Sequence, residues 1–420
     1  MKRILILIMM MLSADFILPQ QTLTLDESFD KARNNYPLTK QKDLIEQTKN
    51  LTVSNVWHGY LPQINISAQA SYQSDVTSLP ITFPGLKIDK LSQDQYKVIA
   101  DVTQTIYDGG LMSSQSGLQE SLSEIDEHKL EVELIKLKER VNNIFFSILL
   151  VDEQLIQTDL MLSDLNSSIK KLEAAYKNGI ISKSELDVIK AEYLKVKQKV
   201  FELSSTRSFL LNNLGLLINE KLDETIKLLI PAELTFQSQT EIQRPELNLL
   251  SAQKTLIDNQ SGLSNSKIIP KASLFFQGGY GKPTLNMLKN NFDWFYIAGI
   301  RLSWSFSNLY SYSNENEISD LNKLAIETQE EAFLLNTNLT LNQQKTEFIK
   351  LQEMIKVDKE IIELRKSILN AAKSKLDNGT ITSNDYLREL NAKDLAEQNE
   401  ILHRIQLLQT QYNYKITSGN

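Results

Sequence analysis

The sequence predicts a mostly helical protein in which long coiled-coil hairpins are joined to four amphipathic β-strands. Three observations support this fold class. Glycine (14) and proline (9) are scarce in the 420 residues. Apolar residues recur at heptad spacing over stretches of about 70 residues, and four segments of about ten residues alternate between apolar and polar side chains. A collagen-like chain, a disulfide scaffold and a Gly-rich disordered protein are therefore excluded.

The residue types present exclude several kinds of chemistry. Cysteine is absent, so thiolate catalysis, cysteine zinc sites, iron–sulfur clusters and a lipid on an N-terminal cysteine are all excluded. The formal net charge of -7 argues against nucleic acid as a partner. His58, His128 and His403 are scattered and form no triad or metal motif. We therefore expect no enzymatic activity, no cofactor and no metal site.

The first 14 residues have the form of a secretory signal peptide. Lys2 and Arg3 precede an apolar run over residues 4–12, which ends at Ser13 and Ala14. The run is too short to span a bilayer as a helix, which needs about 20 residues. We predict export, with cleavage between residues 14 and 21; a buried N-terminal helix or strand is the alternative.

The chain contains two similar halves. Asn178-Gly179 recurs as Asn378-Gly379, and the residues that follow each pair are alike. We therefore predict a tandem repeat, with the first copy over residues 22–218, a linker over 219–239 and the second copy over 240–420. Each copy is expected to contain a helix, two strands, a long helix, a turn and a return helix.

The first copy is expected to begin with two short helices. Thr24 and Glu27 have the spacing of a capping box, which predicts the start of a helix. Pro37 ends that helix, because proline restricts the residue before it. A second helix is predicted from Leu38 to about Tyr60.

Long helices follow the strands in both copies. Between Gly110 and Asn178 there is no proline, and apolar residues step by three and four, with Thr158 in one seam position. The seam resumes after the Asn-Gly turn, and the second copy has helices predicted at about 309–377 and 382–417. A helix of about 70 residues is on the order of 100 Å long. Such a helix bridges a distance that no compact domain requires.

Strict alternation predicts strands at about 62–73, 96–107, 270–280 and 292–306. One face of each is apolar, and aromatic residues lie toward the ends. These aromatic residues are Tyr72, Tyr96, Tyr280, Trp294 and Trp304. The length fits a tilted crossing of a bilayer, and the aromatic positions fit interfacial girdles. A soluble antiparallel sheet with one buried face is the alternative, but the signal peptide and the long helices favour the membrane.

A membrane sheet of four strands requires oligomerisation. About eight strands is the smallest closed barrel, and open sheet edges are not tolerated in lipid. Two copies would give eight strands and a filled interior, whereas three would give twelve and leave room for a pore. The sequence therefore predicts a homo-oligomer.

Several features together are typical of one known family. They are the tandem repeat, the junction Thr105-Ile106-Tyr107-Asp108-Gly109-Gly110, the two Asn-Gly turns with the acidic residue that follows each, and the ending from Leu408 to Gly419. On these residues the chain resembles the TolC-like outer-membrane efflux proteins of Gram-negative bacteria over nearly its whole mature length.

The resemblance implies a homotrimer that shares one 12-stranded β-barrel in the outer membrane and forms an α-helical tunnel in the periplasm. It implies a channel that passively conducts substrates from a periplasmic adaptor and an inner-membrane pump or ATPase to the cell exterior, in efflux or in type I secretion. A periplasmic coiled-coil adaptor, or a structural protein without a pore, is the alternative. The transported substrate and the cognate pump are left open.

The resemblance also implies site residues. Asp385 and its counterpart Glu185 are candidates for the periplasmic constriction; Arg388 departs from a doubly acidic pattern and is positioned to pair with Asp385. The hairpin tips expected to dock the adaptor are Asn178, Gly179, Asn378 and Gly379. The strand–helix junction is Asp108, Gly109 and Gly110, and the second copy lacks the glycine pair there.

Overall fold

The computed structural model describes residues 22–77, 91–234, 241–287 and 289–419. The predicted signal peptide and residues 235–240, which include the end of the predicted linker and the first residue of the second copy, lie outside these ranges. The helices are α1 (Leu25–Asn35), α2 (Gln41–Trp57), α3 (Leu111–Lys177), α4 (Lys183–Ile218), α5 (Pro245–Lys267), α6 (Leu309–Asp377) and α7 (Ser383–Ser418). The strands are β1 (Thr22–Leu23), β2 (Gln63–Tyr72), β3 (Asp94–Tyr107), β4 (Lys227–Leu228), β5 (Lys271–Lys282) and β6 (Asp293–Ser303).

The predicted fold class is confirmed in its coarse form. Most of the described residues are helical, in two long hairpins, and four longer strands form one sheet. Over the described ranges, we find no helix with the length and apolar character needed to cross a bilayer. The closed barrel and the trimer stay predictions at this point.

The start of α1 has the predicted capping box. The Glu27 amide donates to the Thr24 hydroxyl at 3.2 Å, and the Thr24 amide donates to the Glu27 carboxylate at 2.9 Å. The helix predicted from Leu38 to about Tyr60 is present, but its two ends are 3-10 turns, Pro37–Lys40 before α2 and His58–Tyr60 after it. These turns tighten the chain by i to i+3 bonding at helix ends, as 3-10 turns commonly do.

The four longer strands form an antiparallel sheet in the order β2-β3-β5-β6. Val98 of β3 lies between Ala68 of β2 and Tyr280 of β5, and Tyr280 in turn pairs with Trp294 of β6. The central β3–β5 ladder therefore joins strands from the two halves of the sequence. It leaves β2 and β6 as the edges.

A second sheet was not predicted. β1 and β4 are two-residue strands that pair in parallel, with Leu23 beside Leu228. Both leucines lie in a buried core together with Phe145, Phe146 and other apolar residues of the helices. This small sheet ties the segment before α1 to the segment after α4.

The chain divides into two compact units that each take segments from both halves of the sequence. The first takes its described residues from Met1–Lys40, Glu131–Arg244 and Leu334–Asn420, and the second from Gln41–Leu130 and Pro245–Phe333. The first unit contains the hairpin tips, and the second contains the four-stranded sheet. The repeat boundaries given above stay a prediction.

Candidate functional site: hairpin tips, junction and sheet faces

The two hairpin tips have the same backbone turn. Gly179 and Gly379 have φ values of 73° and 68°, in the left-handed region where a side chain is strained. In the second tip the Gly379 amide donates to the Leu376 carbonyl and the Thr380 amide donates to the Lys375 carbonyl, both at 2.9 Å. The first tip makes the corresponding two bonds. This pattern closes the last helical turn before a glycine.

Asp385 caps the helix that leaves the second tip. Its amide donates to the Thr382 hydroxyl at 3.2 Å, while its carboxylate accepts the Thr382 hydroxyl at 2.7 Å and the Thr382 amide at 3.2 Å. These bonds from Thr382 hold the pKa of Asp385 below its ordinary value. At the first tip the Glu185 amide donates to the Ser182 hydroxyl at 3.3 Å. The two candidate residues are thus equivalent in position, but only Asp385 completes a capping box.

Arg388 lies beside two carboxylates. Its guanidinium is 4.0 Å from Asp385 and 3.2 Å from Glu389. The Glu389 carboxylate also forms an ion pair with the Arg365 guanidinium of α6 at 3.3 Å. The Arg388 side chain is 73 % exposed, so each of these pairs is worth no more than about 1 kcal/mol. The sequence pattern did not single out Glu389 or Arg365, and the role of Asp385, Glu185 and Arg388 in a constriction stays a prediction.

The two hairpins pack against each other just above their tips. Tyr386 is 1 % exposed, and its hydroxyl lies 3.4 Å from the Ser168 hydroxyl on α3. Lys171 of α3 forms an ion pair with Asp377 of α6 at 2.9 Å. The surrounding core consists of Met161, Leu165, Leu172, Leu186, Ile189, Val196, Leu369, Ala372, Leu387 and Leu390. The exposed tip residues are therefore carried on a packed four-helix base.

A buried polar layer interrupts the apolar seam farther along these helices. Gln157 of α3 donates to Asp394 of α7 at 3.3 Å, and Gln398 donates to the other oxygen of Asp394 at 2.6 Å. Glu397 contacts both Gln157 and Lys393. Burial raises the pKa of Asp394 above its ordinary value, against the hydrogen bond from Gln157 and the charge of Lys393.

Asp108 organises the junction between β3 and α3. Asp108 is 3 % exposed, and its carboxylate accepts the Tyr60 hydroxyl at 2.9 Å, the Gly110 amide at 2.9 Å and the Met112 amide at 2.6 Å. Burial alone raises the pKa of Asp108, but these donors together outweigh it, so the pKa lies below its ordinary value. Asp108 therefore satisfies two of the backbone amides at the start of α3.

Two glycines make this junction possible. Gly109 and Gly110 have φ values of 71° and 86°, and a Cβ on Gly109 would lie 2.9 Å from the Cβ of Ile269. At the second junction, which lacks the pair, the Asn308 side chain donates to the Lys267 carbonyl at 2.8 Å instead. The predicted junction residues thus lie together, and an amide side chain secures the junction in the second copy.

One face of the four-stranded sheet is apolar and uncovered. Seven of its large side chains are between 70 and 78 % exposed. They are Ile64, Ile66, Tyr72, Trp294, Tyr296, Ile300 and Leu302. The opposite face carries polar residues such as Asn65, Asp101 and Gln277, which share one row of the register. It also carries Phe275 and Phe295, which the alternation did not predict.

Comparison with known proteins bears on this arrangement. The sequence profile of the family described as "Outer membrane efflux protein" matches residues 52–220. Its match covers the first sheet strands, the Asp108 junction and the first hairpin with its Asn-Gly tip. The resemblance to the TolC-like outer-membrane efflux proteins is confirmed.

Solved structures share the fold over almost the whole chain. The outer-membrane channel OprN is 14 % identical, with a TM-score of 0.72 over 94 % of this chain and 89 % of that one. The outer membrane protein VceC from Vibrio cholerae is 13 % identical, with a TM-score of 0.69 over 94 % and 96 %. The CmeC outer membrane channel of Campylobacter jejuni is 15 % identical, with a TM-score of 0.69 over 94 % and 85 %. No curated protein sequence matches the chain.

The likeness in fold covers 94 % of the chain and therefore extends beyond residue 220, where the family profile ends. At these identities the structures establish the fold alone. Which solute passes, and with which partners, belongs to the proposal that follows.

Proposed function

We propose that the protein is an outer-membrane channel through which substrates leave the cell passively, as a homotrimer with one shared 12-stranded barrel. The observation that carries this proposal is the four-stranded sheet with one uncovered apolar face and two unpaired edges. A soluble protein rarely exposes an apolar patch of this size. Lipid on that face and neighbouring copies at β2 and β6 would satisfy both features.

The dimensions of the sheet fit a bilayer. Trp294 lies at the start of β6 and Trp304 just past its end, so the two rings are about 34 Å apart along a strand at about 3.4 Å per residue. A tilt of about 45° reduces this to about 24 Å, close to the apolar band of about 25 Å in outer-membrane barrels. The aromatic residues therefore mark the two membrane interfaces.

The edges support three copies. Unpaired amide and carbonyl groups are not tolerated in lipid, so β6 of one copy must pair with β2 of the next. Two copies would close eight strands around an interior filled by side chains, whereas three close twelve and leave a channel. The family likeness favours three.

The helices offer matching interfaces. Two apolar stripes at heptad spacing remain exposed in the single chain. The stripe on α6 is Val357, Ile361, Leu364 and Ile368, and the stripe on α4 is Leu194, Phe201, Phe209 and Leu216. Such stripes are typical of coiled-coil contacts. We propose that neighbouring copies cover them and so complete a helical tunnel in the periplasm.

The tips are the proposed periplasmic end. Asn178, Gly179, Asn378 and Gly379 would contact a periplasmic adaptor, which links the channel to an inner-membrane pump or ATPase. Asp385, Glu185 and Arg388 would lie at the narrowest point, where Asp385 supplies negative charge on a capped helix start. Efflux of small molecules and type I secretion both use such an exit.

A matched pair of variants tests the membrane assignment. Ile66 and Ser67 are neighbours at the middle of β2 and lie on opposite faces. Ile66→Lys would place a charge in lipid, which costs about 2–4 kcal/mol near the bilayer midplane, so we expect little trimer in the outer-membrane fraction. Ser67→Lys places the same charge on the opposite face and should still give detergent-resistant trimers that conduct in planar bilayers. Equal membrane assembly of both variants would contradict the proposal.

The second candidate is a periplasmic adaptor or a structural coiled coil without a pore. Two equivalent hairpins provide the coiled coil that it needs. The uncovered apolar face is not explained by it, since a soluble adaptor would have to bury that surface. A purified wild-type protein that remains monomeric without detergent would favour this alternative.

A further inference from the structure

The two halves of the sequence correspond residue by residue in the four-stranded sheet. Ala68 of β2 pairs with Val98 of β3, and Phe276 of β5 pairs with Ala298 of β6. Phe276 comes 208 residues after Ala68, and Ala298 comes 200 residues after Val98. The two hairpins of the sheet therefore have equivalent registers, and the two offsets assign each strand residue a counterpart in the other half.

The same offsets relate the helices on either side of the strands. Pro37 and Pro62 flank α2, and 208 residues later Pro245 and Pro270 lie at the two ends of α5. The Asn-Gly tips at the far ends of α3 and α6 are 200 residues apart. Thus α5 is the counterpart of α2, and α6 is the counterpart of α3.

The short helix of the second copy, α5, packs against the long helix of the first copy, α3. The Asn259 side chain donates to the Gly117 carbonyl at 3.0 Å and to the Ser121 hydroxyl at 2.7 Å. A Cβ on Gly262 would lie 2.9 Å from the Ser114 hydroxyl oxygen, so the helices approach closely. Because α3 follows β3 and α5 precedes β5, this helix contact accompanies the β3–β5 ladder.

The counterparts of these two contacting faces are exposed. On α6 the counterpart face consists of Asn314, Glu317 and Leu321, and on α2 it consists of Leu51 and Ser54. Leu51 is 68 % exposed and Leu321 is 57 % exposed. Helix α2 has no buried residue, whereas α5 has four. Each exposed face is therefore one half of a contact that the chain makes once internally.

We propose that a second copy of this chain completes the contact, so that α2 of one copy packs against α6 of the next as α5 packs against α3. The inference rests on the proposed function, in which β6 of one copy pairs with β2 of the next. Helix α6 follows β6 and α2 precedes β2, so the helices meet where the strands pair. Leu51 of one copy then lies against Leu321 of the next, in a head-to-tail interface that can close into a ring.

The side chains distinguish the contact between copies from the internal one. Asn259 and Ser121 satisfy each other by a hydrogen bond, whereas Leu51 and Leu321 would bury apolar surface. A mismatched pair, such as Asn259 against Leu321, would bury a polar group without its partner. Glu317 replaces Gly117, so the helices of two copies lie farther apart than α3 and α5, and the larger leucine side chains fill that distance. The pattern favours each helix on its own partner.

Thiol cross-linking tests the proposal directly, because the chain contains no cysteine. The full-length Leu51→Cys/Leu321→Cys variant, solubilised as a trimer in detergent, is treated with dibromobimane and run on a denaturing gel. We expect loss of the monomer band and formation of covalent dimer and trimer. Leu44→Cys/Leu321→Cys is the matched control, because Leu44 is similarly exposed on α2 but lies about 10 Å along the helix from Leu51. It should remain monomeric on the gel, as should each single variant.

A charge exchange tests the same contact without cross-linking. Leu51→Glu places a second carboxylate beside Glu317 of the next copy and should lower the temperature at which the trimer dissociates in detergent. Adding Leu321→Lys should raise that temperature again, because the new lysine faces the new glutamate across the interface. The same Leu321→Lys change combined with Leu44→Glu should give no such recovery.

The outcomes separate this inference from the proposed function. A wild-type protein that forms no trimer refutes both. A conducting trimer whose Leu51 and Leu321 thiols do not cross-link, or whose charge exchange gives only additive losses, refutes the packing of α2 on α6 alone. The packing is also refuted if the Leu44 control cross-links as well as the Leu51 pair, or if a single variant cross-links by itself.

Discussion

The variant Gly379→Ala measures the free-energy cost of the left-handed backbone conformation at the second hairpin tip. No atom lies within 4 Å of the position that its Cβ would occupy, while φ is 68°, so the whole effect comes from backbone conformation. A left-handed residue other than glycine costs about 1–2 kcal/mol. The loss of chain freedom in the open state offsets about 0.4–1 kcal/mol of this. The expected net destabilisation of the tip is about 1 kcal/mol, or about a fivefold change in its opening equilibrium.

Residue-level amide exchange measures this opening directly. The Thr380 and Asn378 amides are bonded across the turn to Lys375 and Ser374, and both should exchange about fivefold faster in the variant, whereas the first tip should not change. Gly379→Asn is the control, because asparagine tolerates the left-handed region better, and its effect should be smaller. Unchanged exchange in the alanine variant, or a larger effect of asparagine, would refute the reasoning.

Three further predictions concern other sites. The pKa of Asp385 lies below its ordinary value of 3.8, so the stability that its carboxylate gives to the cap is complete above pH 4 and is lost as the pH falls through the lowered pKa. Amide hydrogen exchange at the start of α7, corrected for the intrinsic rate, should accelerate in wild type over that fall in pH. The Asp385→Asn variant should show no such acceleration. Gly109→Ala, which forces a Cβ against Ile269, should lower the unfolding temperature in detergent more than Gly110→Ala, whose Cβ meets nothing within 4 Å. Equal shifts in unfolding temperature would argue against a steric clash with Ile269. Burial raises the pKa of Asp394, so this group favours the folded state most at low pH and progressively less as the pH rises through its raised pKa. Relative to wild type, the unfolding temperature of Asp394→Asn should therefore increase between pH 4 and pH 7. A difference in unfolding temperature that stays constant with pH would contradict this.

The elements that the sequence predicted well are those with a long regular period. The helices after each sheet segment run for many heptads, and the four longer strands each repeat the two-residue period several times. The Asn-Gly tips were predictable because glycine alone adopts their φ without strain. The difference between Asp385 and Glu185 was not predictable, because it depends on whether the carboxylate accepts hydrogen bonds from the residue that caps its own helix.

The unpredicted features depend on register or on contacts distant in sequence. β1 and β4 contain two residues each, which is too short for any period to show. The ring of Phe295 is buried on a polar face only because Gly279 lies opposite, and that pairing is set by the ladder. Thr158 fills one seam position with a polar side chain, and the structure places the Gln157 layer beside it. Glu389 meets Arg365 only after α6 and α7 have packed.

The strand order of the sheet also determines the order in which its strands can pair, if the chain folds while its N-terminal part emerges first. β2 and β3 are close in sequence, as are β5 and β6, so each of these pairs can form as soon as its second strand arrives. Val98 and Tyr280, which pair in the β3–β5 ladder, are about 180 residues apart, and contacts that distant are slow to form. Until β5 arrives, the β2–β3 hairpin has one apolar face and a bare edge on each side. Such edges recruit other chains. The interval before β5 arrives is therefore when the sheet is most open to pairing with other chains.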